Sequence, residues 1–341
     1  MMKILIIRRE NIGDLILTTP LIAQLSRDHQ VDILVNTYNS QVIDGNPHLN
    51  KVYLYTKLHH EISLKAKISA ILLRIKTSFN IWRERYDVAI VAGSWDKRPL
   101  QWAKLSRAKR IITIGEDAPD AVTDKVPYMH GHRHIVEELI QLAKPLGYDE
   151  APGKLEIYLK ESEIIQASAK LGEDTGVPIY GLQISSRKEK QRWPAANFIA
   201  LAHNLSKREQ CKIILFWSPG ASDNPTHPGD DDKAKQIVSQ CKDLPLFPFE
   251  TENIRDLMAG MSLCDQILTS DGGALHVAAG VGRPVVALFG NSDAFFWSPW
   301  KVPARVLEAP SADVSNLTVP EVLNAFISLR SEILASKNPP S

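Results

Sequence analysis

A stretch near the carboxyl end of the chain, residues 266–290, constrains the fold more than any other part of the sequence. An apolar run at 266–268 is followed by an Asp-Gly-Gly turn at 271–273 and by small residues in a helical pattern. A second apolar run at 285–289 comes after the glycine and proline that end that helix. The order strand, turn, helix, strand predicts one βαβ unit of a parallel sheet.

The glycine-rich turn is the part of this unit that could bind a ligand. Two glycines at the start of a helix let a ligand approach the backbone closely, and the N–H groups there favour an anion. A phosphate or diphosphate fits this description. A tight turn in a parallel sheet with no ligand fits it equally well, and the turn lacks the G-x-G-x-x-G pattern of dinucleotide-binding proteins. The local sequence leaves both interpretations open.

Strand and helix patterns alternate through both halves of the chain, which predicts the α/β class. Apolar runs at 3–7, 31–35 and 86–92 predict strands in the first half, and runs at 179–184 and 212–217 begin the second. The length of 341 residues fits two domains. We therefore expect one domain over 1–160, a second over 175–315, and a terminal helix over 318–335 that packs back on the first domain.

Bulk properties narrow the class of protein. The chain has three cysteines and no C-x-x-C pair, which favours a reducing compartment and excludes a disulfide framework. No stretch is long and apolar enough to cross a bilayer, so we expect a cytoplasmic protein.

The net charge of +1 argues neither for nor against nucleic acid, and we expect no such partner. His130, His132 and His134 alternate without a carboxylate at ligand spacing, so we expect no metal.

Residues 58–85 form a long helical pattern that is both apolar and basic. One interpretation is a surface helix that faces anionic lipid headgroups. The more common explanation is a helix packed on the sheet by its apolar side chains, with a solvated basic face.

Four loops are candidates for ligand binding, because open α/β sheets bind ligands at the carboxyl ends of their strands. Loop 9–14 belongs to the first domain, and loops 185–192, 218–232 and 270–276 belong to the second. A cleft between the domains would gather all four. The cations of loop 185–192, together with the amides at 272–274, suit a diphosphate.

Asp14 is the carboxylate of interest in loop 9–14. Opposite a diphosphate leaving group, it could act as a general base that removes the proton of an attacking hydroxyl. It could equally be an acid in the first turn of a helix, where the helix dipole favours negative charge.

Three blocks of the sequence resemble glycosyltransferase family 9, the ADP-heptose:lipopolysaccharide heptosyltransferases. The blocks are residues 6–20 around Ile12-Gly13-Asp14, the Arg-Trp-Pro at 192–194, and residues 271–290 with Asp-Gly-Gly-Ala-Leu-His at their start. The resemblance runs through nearly the whole chain in matching order.

The resemblance implies a GT-B fold, in which two Rossmann-like domains with parallel sheets face a central cleft. It implies an acceptor on the first domain, a nucleotide sugar on the second, and an inverting transfer that needs no metal or cofactor. The implied donor is ADP-heptose. The implied acceptor is the lipid-linked, anionic inner core of lipopolysaccharide, at the cytoplasmic face of the inner membrane, with peripheral membrane contact.

The resemblance also implies roles for individual residues. Asp14 matches the catalytic base. One of three acids after the strand at 212–217 would hold the ribose: Asp223, Asp230 or Asp231. The implied donor-binding residues are Arg187, Lys190, Arg192, Asp271, Gly272, Gly273 and His276.

Two positions depart from the family pattern. Gln191 stands where the family usually has a phosphate-binding lysine, so Lys190 or Arg192 would have to substitute. Gly272 replaces a threonine, which removes a side-chain hydroxyl and keeps the backbone amide.

Two rival functions remain open. The same fold could transfer a different nucleotide-activated sugar to a core or surface glycan. Alternatively, the protein could bind a nucleotide sugar without catalysis, although a binding protein would need no base in its first domain. A nicotinamide dehydrogenase is disfavoured because the first strand lacks the glycine-rich fingerprint.

Overall fold

A computed structural model describes residues 1–56, 64–129, 132–224 and 229–337. The chain divides into two compact units, Met1–Tyr158 and Leu159–Ser341. Each unit holds one six-stranded parallel sheet with helices packed on it, which confirms the predicted α/β class.

The first sheet has the strand order β3-β2-β1-β4-β5-β6. Its central strand β1 has five residues, of which the last four are apolar and buried. Strands of a parallel sheet have both faces covered, which explains such unbroken apolar runs. The strands are β1 Lys3–Ile7, β2 Gln30–Asn36, β3 Lys51–Tyr55, β4 Val88–Ser94, β5 Arg110–Ile114 and β6 Asp124–Val126.

The first unit contains five α-helices among the described residues. Pro20 lies in the first turn of the second helix, where its missing N–H is tolerated, and it does not kink a longer one. The helices are α1 Ile12–Ile16, α2 Thr19–Leu25, α3 Leu64–Glu84, α4 Lys97–Leu105 and α5 Ile135–Ile140.

The second sheet has the order β12-β11-β10-β7-β8-β9. The strands are β7 Ile179–Gln183, β8 Lys212–Trp217, β9 Leu246–Glu250, β10 Gln266–Ser270, β11 Val285–Phe289 and β12 Ala304–Glu308. The helices are α6 Glu161–Ala169, α7 Ala195–Arg208, α8 Asp231–Gln240, α9 Ile254–Ser262, α10 Gly273–Gly280, α11 Ala294–Trp297 and α12 Val319–Lys337.

Both sheets reverse their strand order at the same place. Counted from its own first strand, each sheet reads 3-2-1-4-5-6, the order of the classical dinucleotide-binding fold. The reversal lies between β1 and β4 in the first sheet and between β7 and β10 in the second. Ligands of such sheets bind beyond the carboxyl ends of the strands at this reversal point.

The terminal helix α12 packs on the sheet of the second unit. Its Phe326 ring meets the Tyr180 ring of β7 edge-on, with centroids 4.9 Å apart, and the Phe326 carbonyl accepts a hydrogen bond of 2.8 Å from Gln266 Nε2. The sequence-based expectation that this helix packs back on the first domain stays a prediction. The side chains that α12 contributes to the second core are Val322, Leu323, Phe326, Leu329 and Ile333.

No helix in the described part of the chain is long and apolar enough to cross a membrane.

Candidate functional site

The turn between β1 and α1 holds Asp14 at the reversal point of the first sheet. Asp14 Oδ2 accepts hydrogen bonds from the backbone N–H of Asn11 at 3.0 Å and from Asn11 Nδ2 at 3.1 Å. The carboxylate therefore closes the first turn of α1, as a helix-capping acid does. Its side chain keeps 16 % of its surface exposed, so a solute can still reach it.

Arg8 gives Asp14 a second set of contacts that a helix cap does not need. Its guanidinium donates from Nε to the Asp14 carbonyl at 3.0 Å, and Nη2 lies 3.3 Å from Asp14 Oδ1. Nη1 donates to the carbonyl of Ala92 in β4. Arg8 is only 4 % exposed. The side chain thus ties the end of β1 to the end of β4 and fixes the carboxylate at the point where the strand order reverses.

Gly93 makes room for that guanidinium. Its φ of +148° is rarely adopted by L side chains, and a Cβ at this position would lie 2.7 Å from Arg8 Nη1. Sequence reasoning missed both Arg8 and Gly93. An arginine directly after a buried strand was a usable signal for Arg8, because a buried cation requires a partner.

In the second unit, a hydrogen-bonded network joins three loops around Asp271. Ser292 Oγ donates to Asp271 Oδ2 at 2.7 Å, and Gln191 Nε2 donates to Ser292 Oγ at 2.7 Å. Gln191 Oε1 accepts from the Gly290 N–H at 3.0 Å. Burial raises the pKa of Asp271, while the Ser292 hydrogen bond and the charge of Lys188 oppose the rise.

Gln191 therefore has a structural role at the position where the family pattern has a lysine. It is 1 % exposed and reaches two neighbouring loops through its amide. A neutral amide can donate and accept at once, which a lysine cannot. Gln191 thus adds a crosslink between loops and supplies no positive charge.

The predicted anion-binding turn opens α10. Gly272 is exposed with φ +152°, and no heavy atom lies within 4 Å of the place a Cβ would occupy. The first N–H groups of an α-helix have no partner within the helix and can meet an anion. His276 sits deeper in α10, 4 % exposed, with its ring 6.3 Å from that of Trp297.

Two cations are anchored beside the end of β7. Arg192 Nε donates to the Ser186 carbonyl at 2.8 Å, and Lys233 Nζ donates to the Ile184 carbonyl at 2.8 Å. Lys233 also lies over the Phe198 ring, 5.0 Å from its centroid. The pKa of Lys233 is lowered to about 8, chiefly by burial; the charge of Asp230 opposes this shift, and the charge of Arg192 contributes to it.

Lys233 is a residue that sequence reasoning missed. It stands third in α8, where the positive end of the helix dipole disfavours a cation. A lysine in a first turn was therefore an available signal of a special role. The remaining predicted cations are exposed on the loop surface: Arg187, Lys188 and Lys190.

The three acids suggested for the ribose differ in their surroundings. Asp231 begins α8, and its Oδ1 accepts a hydrogen bond of 3.0 Å from Trp217 Nε1 at the end of β8. Asp230 is 6 % exposed, and its N–H donates to the Ser218 carbonyl at 2.9 Å. Asp223 is exposed. Residues 225–228 of this loop lie outside the described residues.

The structure brings the three predicted loops of the second unit together. Ser218 N–H donates to Ser185 Oγ at 2.8 Å, which links loop 218–232 to loop 185–192. Gln191 links loop 185–192 to loop 270–276 through Ser292 and Asp271. Loop 9–14 forms its own site in the first unit.

The described residues contain no group of three His, Cys, Asp or Glu placed to hold a metal ion. Of the three alternating histidines, His130 lies outside the described residues, and His134 caps the amino end of α5.

Comparison with known proteins identifies the family of this chain. A family model described as glycosyltransferase family 9 (heptosyltransferase) matches residues 78–321. Lipopolysaccharide heptosyltransferase 3 of Escherichia coli is 24 % identical over 303 residues, which cover 84 % of this chain and 83 % of that protein.

Two solved structures share the fold along nearly the full chain. The crystal structure of a family 9 glycosyltransferase from Veillonella parvula DSM 2008 has a TM-score of 0.83 at 23 % identity, covering 97 % of this chain and 98 % of that one. Escherichia coli ADP-heptose lipopolysaccharide heptosyltransferase II has a TM-score of 0.77 at 21 % identity, covering 98 % and 100 %. These likenesses confirm the expected GT-B class.

Proposed function

The chain belongs to glycosyltransferase family 9, and from this premise we propose that it transfers a heptose from ADP-heptose to the inner core of lipopolysaccharide. The proposed reaction inverts the configuration at the anomeric carbon and needs no metal ion. The first unit supplies the base, Asp14, and the second unit binds the nucleotide sugar.

Asp14 acts as the general base in the bond-forming half of the reaction. An acceptor hydroxyl oxygen attacks the anomeric carbon on the face opposite the diphosphate, and Asp14 takes the hydroxyl proton. The anomeric carbon–oxygen bond breaks at the same time, and its electron pair leaves with the β-phosphate oxygen. The transition state has oxocarbenium character, as in inverting glycoside hydrolysis.

The bond-breaking half depends on charge stabilisation in the second unit. Negative charge grows on the departing diphosphate, so donors fixed in advance stabilise the transition state more than flexible ones do. The N–H groups at 272–274 and the anchored cations Arg192 and Lys233 have this property, because Ser186 and Ile184 hold the cations in place. We assign the ribose to Asp231, which Trp217 orients while leaving its second oxygen available.

The observation that carries the proposal is the way the first unit holds Asp14. Capping α1 requires only the two contacts to Asn11. The buried Arg8, which reaches both Asp14 and β4, adds a fixed orientation that a capping acid does not require. This favours a catalytic protein over one that only binds a nucleotide sugar.

The acceptor in this proposal is a lipid-linked, anionic glycan, so the protein works at the cytoplasmic face of the inner membrane through peripheral contact. Exposed cations of α4, among them Lys97, Arg98 and Lys104, suit a phosphorylated acceptor.

Transfer of a different sugar by the same fold is the second candidate. The specific observation in its favour is Gln191, which stands where the family resemblance implies a phosphate-binding lysine. A neutral amide at this position gives a diphosphate one positive charge fewer.

A comparison of nucleotides tests the donor. The purified protein is titrated with ADP, UDP and GDP, and then assayed for transfer from ADP-heptose to purified inner-core acceptor. The proposal expects ADP to bind at least tenfold more tightly than UDP and GDP, and heptose to appear on the acceptor. Preference for UDP or GDP would favour the second candidate, whereas ADP binding without transfer from any donor would favour a binding protein.

A further inference from the structure

Helix α3 exposes six large apolar side chains. Exposed apolar residues that occur singly are ordinary, but six on one helix form a continuous patch, which marks an interaction surface. Their exposed fractions are 51 % for Ile68, 45 % for Ile71, 61 % for Leu72, 60 % for Ile75, 55 % for Phe79 and 43 % for Trp82.

These six residues lie on a single face. Successive residues of an α-helix are rotated by roughly 100°, so positions 68, 71, 72, 75, 79 and 82 fall within an arc of about 100°. The buried residues of α3, Ala70, Thr77 and Ile81, lie on the opposite face, and Thr77 Oγ1 donates to the Leu54 carbonyl of β3 at 2.7 Å. The sequence-based expectation that these apolar positions pack on the sheet is therefore wrong for all six.

One side of α3 packs within the first unit and carries Ala70, Thr77 and Ile81. The six large apolar side chains of the outer face form what we call the apolar stripe, residues 68, 71, 72, 75, 79 and 82.

Positive charge borders the apolar stripe on both sides. By the same helical rotation, Lys65, Lys76 and Arg83 fall along one edge, and Lys67 and Arg74 fall along the other; all five are exposed. The single acid in α3, Glu84, points the other way and pairs with Lys3 at 3.2 Å and with Lys51, and these hydrogen bonds lower the pKa of Glu84.

Aromatic rings and one further cation complete the surface. The rings of Phe79 and Trp82 stack with centroids 6.1 Å apart, and Arg107 from the end of α4 lies over the Trp82 ring at 5.3 Å. Tryptophan and arginine favour the boundary between lipid and water, where a ring meets the acyl region and a cation meets phosphate.

We propose that α3 docks in the plane of an anionic lipid bilayer, with the apolar stripe in the headgroup–acyl boundary and its basic edges on lipid phosphates. An apolar face between two basic edges is the pattern of helices that lie on membranes. Charge selects this occupant over a second copy of the chain, because two such faces would bring their basic edges together. This docking extends the proposed function. It rests on that function in one respect, because a lipid-linked acceptor requires the protein to work close to a membrane.

Vesicle sedimentation tests the proposal without any substrate. The full chain is mixed with vesicles of phosphatidylcholine alone, or with phosphatidylcholine and 30 % phosphatidylglycerol as a chosen composition, roughly in the range where anionic surfaces attract basic helices. Binding to the anionic vesicles should be at least about tenfold stronger, and should weaken as salt screens the headgroup charge. Equal binding to both, or to neither, overturns the proposal.

A matched pair of variants locates the surface. Ile75 and Ile165 are both 60 % exposed, and Ile165 lies on α6 in the other unit. Ile75→Glu should lower the vesicle partition at least about fivefold, as expected for a charge placed in the buried face of a membrane-bound helix, and Ile165→Glu should leave it unchanged. Equal effects of the two variants refute the assignment. So does a dimer that sedimentation velocity detects in the wild type and that Ile75→Glu abolishes.

Activity separates this inference from the proposed function. With acceptor dissolved in detergent, Ile75→Glu should transfer sugar at the wild-type rate. Vesicle binding without any transfer would contradict the proposed function alone, whereas transfer without vesicle binding would contradict this inference alone.

Discussion

Replacing Gly93 by alanine tests whether the Arg8–Asp14 arrangement controls activity. The new Cβ would lie 2.7 Å from Arg8 Nη1, well inside contact distance, so the guanidinium has to move. Arg8 is buried and hydrogen-bonded to two segments of the chain, so it has little room to move without losing contacts. Asp14 would then lose the cation that orients it.

The size of the effect follows from these contacts. Alanine at φ +148° costs about 1–3 kcal/mol of backbone strain. The loss of a hydrogen bond from the Arg8 guanidinium adds about 1.5–3 kcal/mol. The free energy of unfolding should therefore fall by about 2.5–6 kcal/mol. Misplacing a catalytic group by roughly 1 Å can lower kcat about 100-fold, and we expect a loss of that order here.

Gly147→Ala is the control within the same unit. Gly147 also has a positive φ, +92°, but nothing lies within 4 Å of a Cβ there. This variant should cost only about 1–2 kcal/mol and keep kcat close to that of the wild type. Urea unfolding and steady-state transfer kinetics measure both quantities. The reasoning is refuted if the two variants lose the same stability, or if Gly93→Ala transfers sugar at the normal rate.

Three further predictions concern the second unit. Gln191→Ala should lower the free energy of unfolding by about 1–3 kcal/mol, because it removes the hydrogen bonds by which a buried side chain joins two loops. The exposed Lys190→Ala should change it by less than about 0.5 kcal/mol, and similar urea midpoints for the two variants would contradict the structural role of Gln191. Since the pKa of Lys233 is lowered to about 8, the side chain is a cation below that pH, so ADP affinity measured by calorimetry should fall as pH rises through about 8. Lys233→Gln should remove that step, and an unchanged pH profile in this variant would exclude Lys233 from the donor site. Asp231→Asn should weaken ADP binding about tenfold but leave pyrophosphate binding unchanged, whereas Asp223→Asn should affect neither ligand; the opposite ranking would move the ribose contact to Asp223.

The sequence predicts the central strands well because they are buried on both faces. β11 is an unbroken apolar run, and β1 is one after its first residue, which is the pattern of a strand buried on both faces. The two outer strands of the second sheet do not follow this pattern. β9 contains Pro248, and β12 has no fully buried residue, so neither shows the apolar pattern of a central strand. Their place in the sheet depends on pairing with β8 and β11.

The residues of the candidate site also differ in whether the sequence predicts them. Asp14 and the Gly272 turn are visible in the sequence because they occupy a fixed position between a strand and a helix. Arg8 and Lys233 gain their roles from contacts with residues far along the chain, so no local pattern indicates them directly.

Helix α3 shows a different limit of sequence reasoning. Its periodicity predicts an apolar face, but it does not say whether that face meets the sheet or the solvent. In the structure Ala70, Thr77 and Ile81 are buried, and the larger apolar face is exposed.

The rate of heptosyl transfer by Asp14→Asn tests the central claim most directly. Asparagine keeps an oxygen that can accept from the Asn11 N–H, so α1 stays capped, but it cannot take a proton at neutral pH. ADP formation from ADP-heptose and acceptor should fall at least about 100-fold, while ADP binding changes less than about twofold. Glu10→Gln, which removes a neighbouring exposed acid 3.7 Å from Arg8, should keep the wild-type rate. A normal rate in Asp14→Asn would show that another group is the base and would contradict the proposed mechanism.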